Sequence, residues 1–452
     1  MSIEHSPERN IAYHFVCYDA SGRERRGEHG LASDQLLVAV ADECPTDIFF
    51  FSHGWNANPE GALGQYGRWV DTMAACTDDR ERLSARAGGF RPLLVGLHWP
   101  SKAWADEELA SLSYSVNDDP ATAKPTAGPG AGDPAQQLVA GYADRIGDGP
   151  GVQDAIRRIV DSAMRDAAPP TLPDDAREAY SELEASLGRQ PGGVGAAPGD
   201  DREAFDPEEI YQAALLMDVV DPMPYGGFSL GGVLAPLRVL TFWEMKRRAC
   251  SFGETGAAHL LERLQETAPG CKFHVMGHSF GCIAASAAVA GAPGSADPRR
   301  GVDTLVLAQG ALSLWSFCSD IPARPGCAGY FHRVIGDHLV RGGTIVTTSS
   351  HDRAVRVFYP LGAGARGQVG YGDADLPVYG GVGTYGIRGP GIETRDEVLR
   401  RVDEDYQIRP GVVYNLNADT VIATSSGISG AHSDICHPEV ARAVWRAVAS
   451  AS

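Results

Sequence analysis

Long uninterrupted apolar runs are missing from this sequence. The opening residues, Met1-Ser2-Ile3-Glu4-His5-Ser6-Pro7, also lack a basic stretch followed by an apolar one. The first absence argues against an integral membrane segment, since a spanning helix needs roughly 20 consecutive apolar residues. The second argues against a secretory leader. No Cys-x-x-Cys pair occurs among the nine cysteines, at positions 17, 44, 76, 250, 271, 282, 318, 327 and 436. An odd number scattered through apolar segments suits reduced thiols better than a disulfide framework, so a cytoplasmic protein is expected. Positive charge is scarce, with 39 Lys and Arg against 58 Asp and Glu, a net charge of −19. That balance argues against a nucleic-acid or anionic-membrane surface, which would need clustered cations. There is no His-Glu-x-x-His and no clustered Cys/His spacing, so no metal is expected. Gly362-Ala363-Gly364-Ala365-Arg366-Gly367 satisfies Gly-x-Gly-x-x-Gly, but glycine continues where a helix should open. A dinucleotide site is therefore not expected, nor is any other cofactor.

What is present is an alternation of buried-type strands and helices. Residues 11–18 read as a strand ending in a turn, and Ser33 as the cap of a helix through Leu36, Leu37 and Val40. The run Thr46-Asp47-Ile48-Phe49-Phe50-Phe51 is the kind buried on both faces of a parallel sheet, and it stops at Ser52-His53-Gly54-Trp55-Asn56. A helix over 59–75 and a strand over 92–99 follow, the latter closed by Pro100-Ser101. Later strands are expected at 303–308, 344–348 and, as the last, 412–416, with a terminal helix over 438–448. Strands alternating with helices imply an α/β protein with a doubly wound, mostly parallel sheet. We read 1–452 as a single domain interrupted by an insertion at 102–236, in which 152–167 and 177–187 have helical spacing. The insertion is either a cap over a site or a solvated decoration. Its stretches 118–134 and 190–206 are rich in Gly, Pro, Ala and Asp and read as surface loops. The apolar segment 228–237 is either part of a pocket or lid, or ordinary core.

The chemistry concentrates in Lys272-Phe273-His274-Val275-Met276-Gly277-His278-Ser279-Phe280-Gly281-Cys282, followed by an Ala-rich helix. A strand, Gly-x-Ser-x-Gly and a helix in that order form a nucleophile elbow, a turn so tight that small residues must flank the serine. A serine hydroxyl needs a base, and the base needs an acid to orient it. In this topology those partners should follow the serine in the order acid, histidine, each in a loop after a strand. Asp352, just past the strand 344–348, is the candidate acid; a turn acid paired with Arg353 is the plainer reading. His432, in Ser429-Gly430-Ala431-His432-Ser433-Asp434, is the candidate base, with Gly430 and Ala431 expected to allow a close approach to the serine. His437, His351 and Asp434 are the rivals; Asp434 reads more plainly as a helix cap. The backbone N–H groups of Phe280 and Trp55 are the candidate oxyanion donors, Gly54 allowing the second loop to turn toward the elbow. His53 can be read as a structural hydrogen-bonder of that loop.

The combination of Phe49-Phe50-Phe51-Ser52-His53-Gly54-Trp55-Asn56, Trp99-Pro100-Ser101, Gly277-His278-Ser279-Phe280-Gly281, Asp352 and His432 resembles the α/β-hydrolase superfamily. Within it, the chain is similar to a group of bacterial esterase/lipase-like serine hydrolases. The resemblance covers about 45–101 and 235–450 and leaves the insertion outside. It implies hydrolysis of a small-molecule or lipid carboxylic ester through an acyl-enzyme, with Ser279, Asp352 and His432 as triad and no cofactor. It implies no particular substrate: acyl transfer or peptide cleavage on the same triad, or a non-catalytic binding protein on the same fold, stay open.

Overall fold

The computed structural model describes residues 3–102, 133–220, 232–294, 300–363, 376–425 and 427–451. The chain divides into two compact units. The first comprises Met1–Ser101, Gly192–Arg202 and Lys246–Ser452, and the second Lys102–Pro191 and Glu203–Met245.

The first unit is an α/β structure built on a sheet that has nine strands among the described residues. They are β1 (Ile3–His5), β2 (Ala12–Cys17), β3 (Asp47–Ser52), β4 (Pro92–His98), β5 (Lys272–His278), β6 (Thr304–Ala308), β7 (Thr344–Thr348), β8 (Thr394–Val398) and β9 (Val413–Asn417), in the spatial order β1-β2-β4-β3-β5-β6-β7-β9-β8. The β1–β2 pair is antiparallel and the pairs from β2 to β8 are parallel. Strand β3 is wholly buried, as its unbroken apolar run requires. Its alternate residues serve opposite faces. Phe49 and Phe51 join Trp69, Met73, Val444 and Trp445 of the helices Pro59–Ala75 and Pro438–Ser450 on one side. The Trp445 ring stands edge-on to Phe49 at 5.6 Å, and its indole N–H donates to the Met73 carbonyl at 2.9 Å. The other face is covered in part by the helix Gly281–Ala290, all ten residues of which are buried. Its Gly and Ala content lets it lie close to β3 and β5, where a larger side chain would hold it away.

The second unit contains the helices Pro134–Ile146, Pro150–Arg165, Asp174–Leu187 and Pro207–Val220, packed through Ile156, Ile159, Tyr180 and Leu183. Residues 118–132 and 228–231, expected as surface loop and as part of a pocket or lid, lie outside the described residues.

Two expectations need correction. Ser33 is not a cap: the helix Ala32–Glu43 already includes it, Leu31 holds the cap position, and the buried Ser33 hydroxyl accepts from Arg263 at 3.2 Å. The stretch 190–206 is not a solvated loop either. Its Asp201, 5% exposed, accepts two bonds of 2.7 and 2.6 Å from the fully enclosed Lys246 ammonium. The Tyr359 hydroxyl completes the cluster, 3.1 Å from the ammonium and 3.2 Å from the carboxylate. Glycine-rich, acidic composition reads as solvated because the neutralising charge lies 45 residues away. Strand β8 (Thr-Arg-Asp-Glu-Val), which was not anticipated, pairs beside β9. Charged residues suit a sheet margin and hide a strand from a search for apolar alternation.

Among the described residues no helix is long and apolar enough to cross a membrane, and no group of three or more His, Cys, Asp or Glu side chains could hold a metal ion.

Candidate active site

Strand β5 ends at His278, and the chain turns at once into the helix Gly281–Ala290. Ser279, at the turn, has φ +58°, a left-handed conformation that a non-glycine residue adopts only under constraint. Two backbone bonds to the neighbouring strand end supply that constraint: Ser279 N–H donates to the Ala308 carbonyl at 3.1 Å, and Ala311 N–H to the Ser279 carbonyl at 3.2 Å. The flanking glycines are steric necessities. A Cβ on Gly277 would lie 2.2 Å from the Gly281 carbonyl oxygen, and one on Gly281 would lie 2.1 Å from that of Ser52. The helix following Ser279 directs the positive end of its dipole at the turn, where negative charge is favoured.

Asp352 and His432 lie 80 residues apart and meet: His432 Nδ1 and Asp352 Oδ2 are 2.8 Å apart. Asp352 is completely buried, and its Oδ1 accepts the Val355 N–H at 2.9 Å. The carboxylate is thus aimed by backbone on one side and spent on the imidazole on the other, not paired with Arg353 as a turn acid would be. The loops carrying the pair are joined through backbone, Ala431 N–H donating to the His351 carbonyl at 2.9 Å. Gly430 serves this junction. It has φ +62°, and a Cβ there would fall 2.3 Å from the His351 carbonyl oxygen. The rivals also find places. His437 pairs with Asp434 at 2.8 Å, and the other Asp434 oxygen takes the N–H groups of Ala423 and Thr424 at 3.1 and 2.8 Å. Asp434 therefore pins the loop, and it does not cap the last helix, whose cap position is His437.

The loop His53–Ala57 lies against the elbow. A Cβ on Gly54 would be 2.6 Å from Ser279 Cβ and 3.1 Å from its Oγ, and the Trp55 ring stacks on Phe280 at 5.6 Å. Trp99 and Ser101 hold this loop in place. The Trp99 indole N–H donates to the His53 carbonyl at 3.2 Å, Asn56 N–H to the Ser101 carbonyl at 2.6 Å, and Ser101 Oγ to the Ala57 carbonyl at 3.1 Å. Tyr66 adds a relay: its hydroxyl accepts the His53 N–H at 2.7 Å and donates to the Leu97 carbonyl at 2.6 Å. His53 is a structural group. Its Nδ1 lies 2.8 Å from the Gly54 carbonyl, and its Nε2 2.9 Å from His98 Nδ1. A carbonyl only accepts, so Nδ1 of His53 carries the proton and His98 donates to Nε2. A Gly54→Ala substitution puts a methyl group against the Ser279 side chain. We expect kcat/KM for an ester to fall by about 10² while the protein still folds, since an ångström of misplacement costs that much. Unchanged kinetics in Gly54→Ala would place the reacting centre elsewhere.

Three histidines around the elbow are held neutral by burial. It lowers His53 to about 3, with His98 adding to the effect, and His98 to about 4, with Arg25 adding. Burial likewise lowers His278 to about 3, and His432 contributes next. All three therefore stabilise the fold above about pH 6.5, and that contribution is lost as pH falls from there toward 4, because the unfolded chain takes up protons that the folded one refuses. By pH 5 each should cost about 2 kcal/mol of unfolding free energy relative to pH 8. Urea unfolding at the two pH values checks this; a stability flat between pH 6.5 and 5 would mean that the rings are hydrated in the folded state.

Against protein-family models, curated proteins and solved structures, the chain has no match. The site is thus read from its own geometry. Ser279, Asp352, His432, Phe280 and Trp55 are expected from sequence at one site; in the structure Gly54 lies against Ser279, Trp55 stacks on Phe280, and His432, paired with Asp352, accepts through its carbonyl from His278. Tyr66, His98 and His278 were not anticipated, and Trp99 and Ser101 were legible only as part of a motif. Their one local signal is position, at or just past a strand's C-terminal end or facing it.

Proposed function

We propose that this chain is a serine hydrolase of the α/β-hydrolase type, cleaving a carboxylic ester through an acyl-enzyme. The observation that supports the reading most is Ser279, held left-handed in a strand-to-helix turn, on the same rim as a histidine oriented by a fully buried aspartate. In this mechanism Ser279 Oγ attacks the ester carbonyl carbon as His432 Nε2 takes its proton. Asp352 keeps the other imidazole proton on Nδ1 and stabilises the imidazolium that forms. The N–H groups of Phe280 and Trp55 receive the oxyanion. The C–O bond to the alcohol then breaks, and His432 returns the proton to the leaving oxygen. Water, deprotonated by the same histidine, cleaves the acyl-enzyme and releases the acid. The nine cysteines are all free thiols, which favours a reducing compartment such as the cytoplasm. The test is labelling of purified protein with a fluorophosphonate probe, alongside hydrolysis of p-nitrophenyl esters of increasing chain length. An activated serine reacts with the probe, whereas a folded protein that neither labels nor turns over an ester would remove the hydrolase reading.

A further inference from the structure

His278 occupies the variable position of Gly-x-Ser-x-Gly, immediately before Ser279, and is only 6% exposed. Both of its ring nitrogens are engaged. Nε2 lies 2.9 Å from the backbone carbonyl oxygen of His432, and Nδ1 lies 2.8 Å from Gln65 Nε2, on the helix Pro59–Ala75. The chemistry of the groups fixes every proton. A peptide carbonyl can only accept, so the proton sits on His278 Nε2; the neutral ring then presents a lone pair at Nδ1, and the Gln65 amide donates to it. The His278 and His432 rings also lie 4.9 Å apart, tilted by 40° to each other. His432 is therefore anchored twice, through its side chain to Asp352 and through its main chain to the residue preceding the nucleophile.

We propose that His278 and Gln65 are positioning residues that fix the height of the His432 loop over Ser279, a role that rests on the hydrolase reading given above. The Nδ1 bond to Asp352 alone leaves the imidazole free to swing about the line joining it to the carboxylate. Holding the 432 carbonyl removes that freedom. Because the anchor is the neighbour of Ser279 in the chain, base and nucleophile are set relative to each other directly and not through the sheet. Burial and the neutral state of the His278 ring suit this task, since an imidazolium would present a second N–H to the Gln65 amide.

The experiment compares His278→Phe, His278→Gln and Gln65→Leu with wild type. Phenylalanine keeps the ring volume and loses both hydrogen bonds; glutamine restores an N–H near the position of Nε2. We expect kcat on a p-nitrophenyl ester to fall about 10- to 100-fold in His278→Phe with KM nearly unchanged, as misplacement of a reacting group predicts. His278→Gln should recover most of that loss, and Gln65→Leu should show a smaller fall in kcat alone. The low-field proton resonance of His432 Nδ1–H, identified by its loss in His432→Asn, should be sharp in wild type and broadened in His278→Phe and Gln65→Leu. A ring that merely fills space would leave that resonance and kcat unchanged in Gln65→Leu, and would be replaced as well by phenylalanine as by glutamine; either result overturns the proposal. Should His278→Phe fail to fold, the partly exposed Gln65→Leu decides the question. If wild type proves inert to ester and probe, the hydrolase reading falls, while the resonance still reports whether the elbow holds His432.

Discussion

Ser279→Ala should abolish fluorophosphonate labelling and lower ester turnover by on the order of 10⁶. The size of the effect follows from what the hydroxyl does. Without Oγ there is no acyl-enzyme, and His432 has no nucleophile to deprotonate, so the triad fails as a unit. The substitution is otherwise small. Alanine bears the same left-handed backbone penalty at φ +58°, and the two backbone bonds that hold the turn, to and from residue 279, involve no side chain. The glycines at 277 and 281 continue to allow the close approach of the helix. The variant should therefore fold with a melting temperature near that of wild type, which separates loss of chemistry from loss of structure. Equal labelling of wild type and Ser279→Ala would assign the reactive serine elsewhere in the chain.

Asp352→Asn should cost about 10⁴ in kcat, the scale expected when the orienting acid of such a triad can no longer hold the correct tautomer. The geometry says why. Oδ1 of Asp352 accepts the Val355 N–H at 2.9 Å, while Oδ2 faces His432 Nδ1 at 2.8 Å. An asparagine must place its carbonyl oxygen toward Val355, because two N–H groups cannot face each other. Its NH2 then points at His432 Nδ1 and donates to it, which moves the imidazole proton to Nε2. That nitrogen is the one required to accept the proton of Ser279. The side chain remains the same size, so the buried site keeps its packing. The measurement is single-turnover kinetics with a p-nitrophenyl ester, which reports acylation alone. An Asp352→Asn enzyme with wild-type acylation would mean that Asp352 only packs the loop, and the acid would have to be sought elsewhere.

Much of this site is readable from sequence because its determinants are local. A strand, a Gly-x-Ser-x-Gly turn and an Ala-rich helix are contiguous, and the sterics that demand glycine at 277 and 281 act within a few residues and across one neighbouring strand. The placement of Asp352 and His432 in loops after strands is likewise written in the alternation of apolar runs with turns. Other features resisted for a shared reason. The edge strand β8 carries charge where a buried strand carries valine or isoleucine, so its pairing is visible only once β9 lies beside it. The stretch 190–206 has the composition of a loop, and nothing nearby signals that Asp201 will be neutralised by Lys246.

By itself, then, the sequence determined the alternation of strand and helix and the strained serine turn, since each follows from the conformational limits and periodicity of a short segment. The tertiary structure decided which of the histidines is held by which carboxylate: His432 by Asp352, and His437 by Asp434. It also decided that His53 is a buried strut, that Trp99 and Ser101 clamp the loop against Ser279, and that Gln65 reaches His278 from 213 residues away. Hydrogen-bond partnership over such separations depends on which strand ends share one rim of the sheet. That is a property of strand order and register, which no single segment encodes.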